Sequence, residues 1–162
     1  MRSGSFLILT LVVGALGAGA IAPPARAANA RITGLRDVSF GLIAGTADQT
    51  ASQNVCAFSS SNTNGYSVSA LGSAGGGAFE LSSGSAQLPY EVLWADSANQ
   101  SGGTSLVAGT TTGGFISVAT RQTCNRGPRS SASLTVVIRS ATLSTARAGT
   151  YTGTLQITIA PE

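Results

Sequence analysis

The sequence predicts an all-β chain built as an antiparallel β-sandwich or barrel, and three observations lead there. Short runs of alternating apolar and polar residues recur along it, rich in β-branched and aromatic side chains. Clusters of Gly, Ser, Thr and Asn punctuate those runs at close spacing, as turns between strands do. Beyond residue 27 no stretch holds a convincing amphipathic helical period.

The first residues stand outside this pattern. Arg2 supplies a positive n-region, Phe6 to Ile21 is apolar, and Ala25-Arg26-Ala27 is an A-x-A cleavage site, with Ala28-Asn29-Ala30 a second choice. Residues 1–27 therefore read as a signal peptide. The apolar run is Gly-interrupted and followed by Pro23-Pro24, which argues against a membrane anchor.

The strands are then expected in order. Val38-Ser-Phe40 opens one, ahead of Gly41. Gln53 to Ser59 is a second, with Cys56 and Phe58 on one face, and Tyr66, Val68 and Ala70 alternate in a third. Asn64-Gly65 between them suits a turn needing positive φ, so the pair reads as a hairpin. Phe79 to Leu81 follows the Gly-rich stretch 72–77. In Leu88 to Ala95, Tyr90, Val92 and Trp94 share a face and Pro89 restricts the strand start. Thr104 to Val107 and Phe115 to Ala119 are shorter strands. Leu134, Val136 and Ile138 alternate with Thr135 and Arg139, and Ala141 to Ala148 is long enough for one helical turn. From Tyr151 to the end, Tyr151, Leu155, Ile157 and Ile159 fall on one face and Thr152, Thr154, Gln156 and Thr158 on the other. No residue of the sequence follows Glu162 to cover that strand, and an uncovered edge invites pairing with another chain.

Charge and chemistry exclude several functions. The mature part carries seven arginines against six acidic residues, so its net charge is near zero; only Arg126-Gly-Pro-Arg129 is locally basic. Nucleic-acid affinity by counterion release needs many clustered cations, so no nucleic acid is expected. Without histidine or lysine, neither a Ser-His-Asp or Cys-His arrangement nor a Schiff base can be built. Glu80 and Glu91 are explained by strand alternation as solvent-facing, and Gly75-Gly-Gly77 lacks the lysine of a phosphate-binding loop. Tyr66, Tyr90, Trp94 and Tyr151 lie in register with apolar neighbours, which favours core packing over a sugar-binding platform. No catalytic residue, metal site or small-molecule cofactor is expected, and the chain does not read as an enzyme.

Cys56 and Cys124 are the two cysteines. An even count in an exported chain favours a disulfide, worth roughly 4 kcal/mol in the chain-entropy model; two buried thiols are the alternative.

Val55-Cys56, Tyr66-Ser-Val-Ser-Ala70, Leu88-Pro-Tyr-Glu-Val92 and the terminal Ala148-Gly-Thr-Tyr-Thr-Gly-Thr-Leu155 give the chain a family likeness. It resembles the spore coat protein U-like family, close to the archaic chaperone–usher pilin subunits. The resemblance implies an incomplete immunoglobulin-like sandwich over residues 41–162 that lacks its last strand. It also implies a periplasmic chaperone and an outer-membrane usher as partners, neighbouring pilin subunits, and passage through the periplasm to a surface fimbria serving adhesion or biofilm formation. Residues 28–40 are then the N-terminal extension, with Ala30, Ile32, Gly34, Val38 and Phe40 as candidate donor-strand positions. Tyr151, Leu155, Ile157 and Ile159 become the edge that a chaperone or donor grips. A self-complemented secreted sandwich, a surface coat or a carbohydrate-binding module, is the alternative.

Overall fold

The computed structural model describes residues 27–43, 45 and 47–162; the expected signal peptide lies outside them except for Ala27. These residues form ten strands, β1 (Ala30–Thr33), β2 (Gln49–Ser59), β3 (Gly65–Gly72), β4 (Glu80–Ser83), β5 (Ala86–Pro89), β6 (Glu91–Ala95), β7 (Thr104–Ser105), β8 (Thr111–Ile116), β9 (Ala132–Ile138) and β10 (Leu155–Pro161). One short helix, α1 (Ser140–Thr145), precedes the last strand. Five strands form one sheet in the order β1-β2-β9-β6-β7, three form a second in the order β10-β3-β8, and β4-β5 is a separate hairpin; every pairing is antiparallel. The expected all-β antiparallel fold is thus what the chain adopts.

Alternation places the core between the two larger sheets. Val55 and Ala57 of β2, Val92 and Trp94 of β6, and Leu134, Val136 and Ile138 of β9 meet Tyr66, Val68 and Ala70 of β3, together with Phe115 of β8. Tyr66 and Trp94 are fully buried, packed edge-to-face with ring centroids 6.4 Å apart. The Trp94 indole N–H donates to the Tyr66 hydroxyl at 3.1 Å, so neither polar atom is stranded. The aromatic residues read as core therefore lie there, apart from Tyr151, which is half-buried.

Several boundaries differ from expectation for identifiable reasons. Gln53 to Ser59 and Tyr66 to Ala70 do not form a hairpin: β2 and β3 belong to opposite sheets, because both must turn apolar faces onto one core. Asn64 does take positive φ, 56°, and the Ser59 hydroxyl donates to the Gly65 carbonyl at 2.7 Å, so the tight connection crosses between sheets. Val38-Ser-Phe40 forms no strand. The Gln53 side-chain amide occupies the Arg36 N–H and carbonyl at 2.8 and 3.0 Å, and Phe40 and Ile43 pack against the core from irregular backbone. Leu88 to Ala95 breaks at Tyr90, whose N–H bonds the Phe79 carbonyl while the chain passes from the hairpin to the large sheet. Thr104 to Val107 shortens to β7. Phe115 to Ala119 shifts back to β8, because the Ser117 hydroxyl turns to the Ala57 carbonyl at 2.6 Å and accepts the Ala119 N–H. All seven residues of β9 are buried, not only the alternating three. As the central strand it has its outer face covered, Thr135 by Ser52 and Ser133 by the Ser97 carbonyl.

Cys56 and Cys124 are joined by a disulfide across 68 positions of sequence, packed with Ala119 and Phe58 in a small satellite core. It ties β2 to the long segment between β8 and β9.

Candidate functional site

β1 and β10 are edge strands, as β7 and β8 are at the other ends of the same two sheets. Each is hydrogen-bonded on one side only, β1 to β2 and β10 to β3. They lie beside each other where the two sheets meet, with Cα atoms approaching within 8 Å but no ladder between them among the described residues. Their directions oppose. The start of β1 is tied at Asn29 to Ser60, Ser59 is tied to Gly65, and the Gly65 carbonyl accepts the Glu162 N–H at the end of β10.

Period-two geometry identifies the groups each edge presents. The Thr152 N–H bonds Ser82, the Thr154 N–H bonds the Ser73 hydroxyl and the Glu162 N–H bonds Gly65, all on the β3 side. The N–H and C=O groups of Gln156, Thr158 and Ala160 face that side too, leaving those of Leu155, Ile157 and Ile159 turned outward. Pro161, with no N–H, falls at an outward position, where a strand tolerates proline. On β1 the Asn29 carbonyl accepts the Ser60 N–H, so Arg31 and Thr33 turn toward β2 while Ala30 and Ile32 point outward.

The floor between the edges is apolar and only partly covered. Leu155, Ile157 and Ile159 alternate half-buried with exposed Gln156 and Thr158, and with Ile32 they pack against the central core. Of the terminal residues singled out in the sequence, Leu155, Ile157 and Ile159 share this face. Tyr151 stands before the strand, its hydroxyl donating to the Arg147 carbonyl at 2.9 Å.

The candidate donor residues are placed differently from one another. Ala30 and Ile32 lie in β1, opposite Ser59 and Ala57 of the chain's own sheet. Gly34, at φ 85°, ends that strand, and Val38 and Phe40 lie outside any ladder. Leu35, Val38 and Leu42 of the same segment are exposed, Leu42 at 94%.

Sequence patterning missed the clasp that holds the end of β10. The register between β3 and β8 shifts at Gly113-Gly114, with Gly114 at φ 83°, and the freed Gly114 N–H donates to the Glu162 carboxylate at 2.9 Å. A side chain at position 113 would collide with that carboxylate. The adjacent glycines were the available signal.

Arg139 at the end of β9 pairs with Asp48 and with Glu91, and the Asp48 carboxylate also accepts the Ser140 N–H at 2.7 Å. These contacts lower both carboxyl pKa values, for Asp48 chiefly through the Ser140 backbone and for Glu91 chiefly through Arg139. Among the described residues no cluster of three or more His, Cys, Asp or Glu side chains gathers, and no helix is long and apolar enough to cross a membrane.

Comparison with known proteins bears on this site. The model of the Spore Coat Protein U domain matches residues 20–158. No curated protein matches the chain in sequence. In three dimensions it is similar to a chain of a chaperone–tip adhesin complex described as vital for synergistic activation of CFA/I fimbriae biogenesis, with TM-score 0.57 and 18% identity. The likeness covers 83% of this chain and 42% of that one, so this chain spans less than half of its neighbour's length.

Proposed function

Because the chain belongs to the Spore Coat Protein U domain family, we propose that it is an exported structural subunit of a surface fimbria, completed by a β-strand from another protein. One observation carries the reading: β10 offers the outward backbone groups of Leu155, Ile157 and Ile159 beside a half-covered apolar floor, with the unbonded edge of β1 across the gap. A strand laid there gains main-chain hydrogen bonds from the edge and buries alternate side chains on Ile32, Leu155, Ile157 and Ile159, which is recognition by strand addition. A periplasmic chaperone would hold the edge first and a neighbouring subunit would replace it, with an outer-membrane usher guiding the exchange. Adhesion or biofilm formation is the role such a fibre serves.

The gap sets a condition. A strand bonded to both edges needs them about 9.5 Å apart, two interstrand spacings. Parts of β1 and β10 lie closer than 8 Å. Insertion therefore parts the edges.

The test is a fusion. A flexible linker and a nine-residue strand of alternating valine and threonine are appended after Glu162, and thermal unfolding is compared with the unfused chain. The expected result is a Tm higher by about 10 °C, the scale of a few kcal/mol in a domain of this size. Equal melting of the two proteins would remove the proposal.

A further inference from the structure

Resting on that reading, we infer that the segment 28–40 is a fixed wall of the groove and not a strand offered to a neighbour, so the partner that fills the groove is a different protein rather than a second copy of this chain. The argument lies in how β1 is held. Asn29 exchanges bonds with Ser60, its carbonyl accepting the Ser60 N–H at 2.9 Å and its own N–H meeting the Ser60 hydroxyl at 2.9 Å. The ladder continues through Arg31 opposite Phe58 to Thr33 opposite Cys56, a residue anchored by the disulfide. Ile32 packs into the same core as Val55 and Ala57. Further on, Gln53 holds the Arg36 backbone by both its groups, and Phe40 and Ile43 pack half-buried against the core.

To donate this segment the chain would have to strip those bonds from β2, uncover Val55 and Ala57, and lose one of the two walls that an incoming strand uses. Donation by this segment and reception in this groove therefore compete within one molecule. Two copies joined through it would exchange an intact β1 for an equivalent one and leave the donor's own groove without a wall. A subunit whose nearest N-terminal segment is spent this way receives a strand without passing that one on. Head-to-tail growth through residues 28–40 therefore stops at this subunit.

The experiment uses the purified full mature chain and two probes: a synthetic peptide of residues 28–40, and the alternating valine–threonine strand supplied as a peptide. Incubation is followed by melting and by electrophoresis of unheated samples. The valine–threonine peptide should raise Tm, whereas the 28–40 peptide should leave it within about 1 °C and the chain should stay monomeric. Binding of the 28–40 peptide, or a ladder of homo-oligomers, overturns the inference while leaving strand capture intact. Failure of both peptides, together with the fused strand, removes strand capture and this inference with it. Ile32→Ala adds an independent reading. As a wall residue it should lower the Tm of the isolated chain by about 3–5 °C; an unchanged Tm would mark the segment as a detachable extension and overturn the assignment.

Discussion

Tyr66 and Trp94 show what a polar handle does inside an apolar layer. Both side chains are fully buried, and each satisfies the other's only polar group. Burial pushes the Tyr66 phenol up to about 12, the hydrogen bond from Trp94 works in the opposite direction, and the charge of Asp96 adds a smaller upward push. The unfolded phenol titrates near 10, so the folded state holds this proton more tightly. The stabilisation is complete below pH 10 and is lost as pH rises from about 10 to about 12. In Tyr66→Phe the Trp94 N–H is left without its acceptor, which costs about 1–3 kcal/mol at neutral pH. The same variant should lose less stability than wild type between pH 10 and 12, as measured by denaturant unfolding across that range.

At the scale of single strands, β10 is specified by alternation in sequence, and its half-burial matches that pattern residue by residue. Its outward and inward backbone groups also differ in consequence. Ile157→Pro removes an N–H that faces the gap; Thr158→Pro removes one that faces β3. The first should leave a folded chain, modestly destabilised by the lost isoleucine packing, that gains little from the appended strand. The second should fail to fold or melt far lower, by breaking the β3 ladder. Melting curves with and without the appended strand separate the two. β9 and the segment 34–43 were less legible. The alternation in Leu134 to Ile138 is real, yet central placement in the sheet buries both faces, a tertiary fact no local pattern carries. Val38-Ser-Phe40 has the composition of a strand, but the side chain of Gln53 takes the place of a ladder partner at Arg36. The hairpin expected around Asn64-Gly65 failed similarly: turn chemistry fixes a reversal of the chain, not which sheet receives the next strand.

Across the whole molecule, the disulfide joins the five-stranded sheet to the long connection between β8 and β9, a region otherwise held by few ladders. Closing a loop of 68 positions restricts the unfolded chain by about 4 kcal/mol in the entropic model. Cys124→Ser should therefore lower Tm by about 10 °C or more, and reduction of the wild type should produce a comparable fall in the same melting assay. The all-β class, the cysteine pair and the half-buried last strand were all written in local patterns. The two facing edges were not, because they depend on which strands end up outermost. That depends on the order of the sheets.

The clasp at Glu162 has an effect on association that its small size conceals. Thr152 and Thr154 fasten the approach to β10, and the carboxylate seated at Gly114 fastens its far end. So restrained, the strand cannot slip by one residue and turn Ile157 to solvent. The receiving rail is organised beforehand, and most of the ordering entropy of docking falls on the visiting segment. Differences in how quickly and tightly rival visitors seat themselves should then be governed by their own stiffness and side-chain spacing, with this protein acting as the gauge against which they are measured.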